Sequence, residues 1–315
     1  MDGKETGGQI VFSWLINQSY IVGIIIGVLF GVTARIQLLR TDYRQYPTYP
    51  HGKVIHMALG VIAAGLGAVA VPALLNKDYT AVTFLTVAAQ QFRDVRNMER
   101  QSLMQIDSME LVPRGAAYIE GIAMVFEGRN YLVIFTAFMA SLFSIMFHWY
   151  WGIAVGIAAL AAANLLKSGK SLAHIADVVP VEVRLEGPDL YVDSIYIMNV
   201  GLDSSREIIK KKGIGLLIKP KNKNSRVTIA NIGQRQAILH DASTILGVYR
   251  DTGEPALIPM AKLDLETGIL GVLLLPQDKD EEKAAEAVRQ VPILESAVRL
   301  PSESSAQHKS GGRSE

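Results

Sequence analysis

Two glutamates sit in a stretch that is otherwise apolar, and their placement invites chemistry. Glu120 and Glu127 lie seven residues apart in Tyr118-Ile119-Glu120-Gly121-Ile122-Ala123-Met124-Val125-Phe126-Glu127-Gly128-Arg129-Asn130. On a helix they share one face. A carboxylate in such surroundings is costly unless paired, and an ionisable group at membrane depth is a functional candidate by default. Either glutamate could activate water in a membrane hydrolase, with an arginine or histidine assisting. The competing reading is a structural ion pair. The sequence supplies partners for it in Arg93, Arg96 and Arg100, which recur at helical spacing, and in Arg129. The three spaced arginines also suit anchoring at lipid phosphates. His56 is a candidate for the same site, although a lone histidine there is more commonly only hydrogen-bonded.

Other chemistries are excluded by the residues themselves. The chain has no cysteine, so disulfides, thiolate nucleophiles and cysteine zinc sites are ruled out. HExxH, GxSxG and P-loop motifs are absent, and no aspartate pair lies within the apolar stretches: Asp78, Asp94 and Asp107 fall outside them or at their edges. No metal or cofactor is expected. A net charge of +1 argues against a nucleic-acid partner.

The elements that must position these residues begin with a run of apolar segments. A helix needs roughly 20 apolar residues to cross the hydrocarbon core. Val11–Ala34, Val54–Leu75, Tyr131–Phe147 and Tyr150–Leu166 fit that length or approach it. Tyr79–Phe92 is shorter and carries Gln90 and Gln91. Basic residues in short loops mark the cytoplasmic side. Arg35, Arg40, Arg44 and Lys53 form one such group, Arg93, Arg96, Arg100, Arg114 and Arg129 another, and Lys167 with Lys170 a third. Five crossings, N-terminus outside and C-terminus inside, reconcile all three groups, with residues 79–92 as the third crossing. The N-terminus reads as a retained anchor rather than a cleaved signal. Gly23, Gly27 and Gly31 repeat every four residues, which points to close helix packing inside the bundle, with a dimer seam as the alternative.

The predicted architecture is an α-helical polytopic membrane domain over 1–167, a cytoplasmic α+β domain over 168–300, and a disordered tail over 301–315. In the second domain the pattern predicts strands at 181–186 and 190–198, a helix capped by Ser204 and Glu207, a strand at 215–219 and a helix at 233–246. A hairpin around Glu266-Thr267-Gly268, a helix at 278–289 and a last strand at 293–298 follow. One sheet with helices on one face is expected. Gln234, Arg235 and Gln236, with His240 and Asp241, form a concentrated polar helix face that reads as a binding site or a plain helix surface. Lys210, Lys211, Lys212, Lys219, Lys221, Lys223 and Arg226 form a basic cluster suited to anionic lipid or to a solvated rim.

Tyr118-Ile119-Glu120-Gly121-Ile122-Ala123 matches the hexapeptide after which the YIEGIA family is named. Arg40-Thr41-Asp42-Tyr43-Arg44-Gln45-Tyr46-Pro47, the run from Gln90 to Arg100, and Gly233-Gln234-Arg235-Gln236-Ala237-Ile238 also resemble that family. The resemblance covers nearly the whole chain apart from its ends. It implies a cell-membrane protein of a spore-forming bacterium with a role in sporulation, and it transfers no catalytic residue. The expected function is a membrane regulator or scaffold whose cytoplasmic domain binds a protein partner; a homo-oligomer is admitted. A membrane-embedded protease using Glu120 or Glu127 is the alternative, and a small-solute transporter is the third class.

Overall fold

The computed structural model describes residues 18–43, 50–166, 169–248 and 258–303. The chain forms two compact units, residues 1–99 with 123–168, and residues 100–122 with 169–315. The sequence reading keeps segment 100–122 with the membrane half. It clusters with the C-terminal half instead, because its polar groups find their partners there. The expected tail from residue 304 onward and residues 11–17 of the expected first crossing lie outside the described residues.

The helices are α1 (Gln18–Asp42), α2 (Pro50–Leu75), α3 (Tyr79–Asp107), α4 (Ala116–Met146) and α5 (Trp149–Leu166). Three of them, α1, α4 and the Gly52–Leu75 part of α2, are long and apolar enough to cross a membrane, and α5 is a shorter apolar helix. Three expected boundaries change, the first because α1 runs on from Ala34 to Asp42. The stretch 79–92 is only the first half of the 29-residue α3, and 131–147 is the second half of the 31-residue α4. Polar residues end a run of high hydropathy, but they do not end a helix whose backbone bonds they leave intact. Asp78 starts α3 by accepting from the Ala81 N–H at 3.0 Å, an N-cap bond.

Small residues let the first unit close up. A Cβ at Gly27 would lie 2.7 Å from the Ala137 carbonyl oxygen, and one at Gly67 would lie 2.2 Å from that of Ile134. The Gly23, Gly27, Gly31 repeat is therefore buried against α2 and α4 within the bundle. Around it pack Ala34, Leu38, Ala63, Ala64, Val133 and Ala137. Pro72 in α2 cannot donate to the carbonyl of Ala68 one turn earlier. The Ser141 hydroxyl of α4 donates to that orphaned oxygen at 3.1 Å.

The second unit contains β1 (Ala176–Val181), β2 (Val183–Glu186), β3 (Asp189–Val192), β4 (Ile195–Asn199), α6 (Asp203–Lys212) and β5 (Ile214–Pro220). After these come α7 (Lys223–Ala230), α8 (Ile232–Leu246), β6 (Met260–Leu263), β7 (Leu270–Leu274) and α9 (Glu281–Gln290). Two antiparallel sheets form rather than the one expected: a four-stranded sheet ordered β1-β5-β7-β6 and a three-stranded sheet ordered β2-β3-β4. Alternation along β5 and β7 explains the layering. Leu217 and Leu273 face the small sheet, packing with Leu190, Val192 and Ile197. Leu216, Ile218 and Val272 point the other way and are also fully buried. Helices α8 and α9 pack against the four-stranded sheet.

Several local expectations are corrected. The predicted strand 190–198 is a hairpin, turned at Asp193 with φ +56. β1 and α7 were not anticipated. The N-cap of α6 is Leu202, without a side-chain bond, so the Ser204/Glu207 capping box does not form; Asp203 instead pairs with Arg206 in the first turn. Residues 293–298 hold a 3₁₀ turn at Glu295–Ala297 rather than a strand. The basic cluster is divided by β5, whose seven residues span roughly 20 Å. Lys212, Lys221 and Arg226 bind loop carbonyls of Gln277, Ala173 and Leu265.

The Pro72–Ser141 pairing yields a double-mutant test. Ser141→Ala leaves a buried carbonyl bare and lowers stability by about 1–3 kcal/mol. In a Pro72→Ala background the restored helix bond removes most of that cost. Thermal unfolding of the four proteins in detergent measures the coupling.

Candidate functional site

In the first unit the candidate residues resolve into ion pairs. Asp42, at the end of α1, lies between two buried arginines. Its Oδ1 accepts from Arg129 Nε at 3.2 Å, and its Oδ2 is 3.9 Å from a terminal nitrogen of Arg35. Arg35 is completely buried, donates from Nε to the His56 carbonyl at 3.3 Å, and lies 4.8 Å over the Phe126 ring. Gly60 makes room for it, since a Cβ there would meet the Arg35 stem at 2.4 Å. His56 has Nε2 3.6 Å from a Glu99 oxygen and its ring 4.8 Å from Phe126. Arg96 reaches Glu127 at 3.0 Å, and the Tyr131 hydroxyl donates to the other Glu127 oxygen at 3.2 Å.

Burying a charge is tolerated when a partner of opposite sign and hydrogen bonds replace water. Asp42 against Arg35 and Arg129, Glu99 against His56 and Glu127 against Arg96 supply the charge partners, while the terminal nitrogens of Arg35 have no hydrogen-bond partner among the described residues. Asn130, one turn beyond Phe126, is fully buried, and its amide has no hydrogen-bond partner among the described residues.

In the second unit Glu120 faces Arg100 at 3.7 Å, with both side chains about two-fifths exposed; such pairs contribute at most about 1 kcal/mol. The polar face of α8 is neither a solvent surface nor an open site. Gln234 is fully buried, accepting from the Leu294 N–H at 2.8 Å and donating to the Pro292 carbonyl at 3.2 Å. Gln236 accepts from the Tyr118 N–H at 3.2 Å. His240 Nδ1 lies 2.6 Å from the Val112 carbonyl, and the Tyr118 hydroxyl is 3.4 Å from Asp241. Asp107 holds the same segment by accepting from the Arg114 and Gly115 N–H groups at 2.6 and 3.0 Å. Irregular segments have backbone groups with no ladder to satisfy them, and an amide side chain can donate and accept at once. Tyr118 and Ile119 of the hexapeptide are buried at this docking surface, while Arg235 Nε has no hydrogen-bond partner among the described residues.

The structure brings together Arg96 with Glu127, Arg100 with Glu120, and Gln236 with Tyr118. It places His56 on Glu99 rather than on either candidate glutamate, and it leaves Arg93 exposed. Arg35, Asp42, Glu99 and Tyr118 are central residues that sequence reasoning did not select. Arg35 and Asp42 are seven residues apart on α1, a spacing that signals one shared helix face. A groove of about 460 Å³, lined by Gln37, Arg40, Ile157, Leu160, Ala161 and Asn164, contains none of the paired residues. Among the described residues no cluster is placed to hold a metal ion.

Burial pushes the Asp241 carboxyl up to about 7, with Arg114 and the Tyr118 hydroxyl partly opposing it. Burial also lowers the His240 imidazole below its usual range. The folded chain thus keeps a proton on Asp241 that the unfolded chain releases near its ordinary value of 3.8. This contribution falls as pH rises from about 4 to about 7, by at most about 1.4 kcal/mol per unit, and is flat above. Hydrogen exchange of amides 112–118, corrected for intrinsic rates, is expected to show more protection at pH 5 than at pH 8. Asp241→Asn abolishes the difference. Removing the shared carboxylate of the first unit is expected to be severe: Asp42→Ala takes away the carboxylate that faces two buried arginines and costs on the order of 3–5 kcal/mol. Melting in detergent and abundance in membranes measure that loss.

The chain was compared with known proteins. No solved structure matches it. It is 54% identical over 284 residues to the Bacillus subtilis (strain 168) protein described as "Uncharacterized protein YphB", covering 90% of this chain and 96% of that one. The family model described as "YIEGIA protein" matches residues 23–304. With Tyr118 to Ala123 supplying the signature and its tyrosine held on α8, the chain belongs to the YIEGIA family.

Proposed function

We propose that this chain is a multi-pass cell-membrane protein of a spore-forming bacterium. In this reading it acts during spore formation as a regulator or scaffold whose α+β unit binds a protein partner. The membrane reading uses five crossings, with α3 and α5 added to the three long apolar helices, the N-terminus outside and the C-terminal half in the cytoplasm. At 1.5 Å per residue α5 is about 27 Å long, enough to cross with slight thinning of the bilayer. Exposed Trp149, Tyr150 and Trp151 at its start suit the outer interface. The Lys and Arg of the short loops then fall on the inner side, apart from Lys4 and Lys77. The sporulation role rests on what the family resemblance implies.

The observation that carries the non-catalytic reading is the engagement of both candidate glutamates. Glu127 is tied to Arg96 and Tyr131, and Glu120 to Arg100. Carboxylates held this way suit the joining of helices.

Quantitative proteomics of sporulating cells tests the choice. A deletion strain is compared with strains carrying Glu120→Gln or Glu127→Gln at normal abundance. The scaffold reading expects both variants to restore sporulation and no protein to accumulate. Accumulation of the same few proteins in the deletion and in one glutamine variant, at unchanged mRNA, would instead establish proteolysis. Reporters fused after Asp78 should read outside, and those after Asp107 or Lys170 inside.

A further inference from the structure

One face of α3 is left uncovered and is largely polar, with Val87 exposed at its edge. Thr83, Gln90 and Asn97 are each seven residues apart and all exposed, with Asp94 beside them and Arg93 at the edge. The opposite face packs inward through Phe92, Arg96 and Glu99. Thr83 satisfies its hydroxyl on the Tyr79 carbonyl of its own helix. The amides of Gln90 and Asn97 have no hydrogen-bond partner, and Arg93 and Asp94 form no salt bridge, among the described residues. Gln90 lies eleven residues into a helix that starts at Tyr79, roughly 16 Å along its axis. With α3 crossing the bilayer from Tyr79, that is in the inner half of the crossing, where little water reaches a carboxamide.

We infer that this face is the contact surface for a second copy of the same chain, with two α3 helices side by side and parallel about a two-fold axis. The inference rests on the reading of α3 as a crossing. A glutamine near a two-fold axis can donate from Nε2 and accept at Oε1 with its own symmetry mate, so one residue type satisfies both sides. Asn97 repeats the arrangement two helical turns later, and an asparagine in a seven-residue repeat fixes register and favours pairing in twos. The same symmetry sets Arg93 of each copy toward Asp94 of the other, so both charges are paired. A seven-residue spacing drifts slowly around a straight helix and is taken up by a left-handed crossing of the two helices. The glycine repeat of α1, the other candidate seam, is already closed within the bundle.

The absence of cysteine makes the test direct. Single cysteines are placed in the full chain, in its native membranes, at Thr83, Gln90 and Asn97, and on the packed face at Ala88 and Val95. Mild oxidation is followed by non-reducing electrophoresis and mass spectrometry. The first three positions should give a species of twice the chain mass, several-fold above the other two. Adding Gln90→Leu to Asn97→Cys should cut that yield several-fold, and Gln90→Asn should preserve it. Equal yields at all five positions, no species of double mass, or adducts of another mass would each overturn the second-copy contact. Labelling of Gln90→Cys by a membrane-impermeant maleimide in intact and opened cells reports separately on the crossing. Ready labelling there removes α3 from the bilayer, and the cross-linking pattern still decides the pairing.

Discussion

The charged end of the first unit depends on the electrostatic cost of leaving Arg35 alone. A guanidinium with no exposed surface must find a carboxylate, and Asp42 provides it while also receiving Arg129 from α4. That one carboxylate links the end of α1 to α4, and the Arg35 Nε bond to the His56 carbonyl adds α2. Phe126 fills the space between the Arg35 and His56 side chains. Glu99 and Glu127 bring α3 into the same set of pairs through His56 and Arg96. The polar residues that look like candidates for chemistry are therefore the residues that join the helices.

The second unit solves a related problem largely with neutral amides, beside the Asp107 carboxylate. Segments 112–118 and 292–294 lack a full ladder of backbone partners, and buried amides of α8 supply what is missing. The hexapeptide acquires a physical role in this way. Tyr118 takes a place against α8, Ile119 is buried, and Gly121 leaves space that the Ser296 hydroxyl occupies. Glu120 is the member that remains half outside, on Arg100. Burial raises the Asp241 carboxyl to about 7, so the fit of the segment on α8 is linked to pH.

Much of the architecture is legible in the chain. The apolar lengths locate four of the five helices, the change at residue 168 locates the start of the sheets, and Gly247 and the Glu266-Thr267-Gly268 turn mark element ends. The ends of α3 and the start of α4 are not legible, because hydropathy measures the solvent a segment prefers and not whether its backbone continues to hydrogen-bond. The second sheet is hidden for a related reason. Residues 190–198 alternate throughout, and only the left-handed turn at Asp193 reveals two strands rather than one.

By itself the sequence determined that an apolar half precedes a mixed α and β half, that thiol chemistry is absent, and that glutamates and arginines stand at helical spacing near the apolar helices. Those conclusions follow from local quantities: hydropathy, residue type and periodicity. Which arginine meets which acid was decided by tertiary structure, as was the burial of Gln234 and Gln236 against the chain's own segments. Such pairings join residues tens to more than a hundred positions apart, as Tyr118 and Gln236 are, and a periodic pattern carries no information at that range.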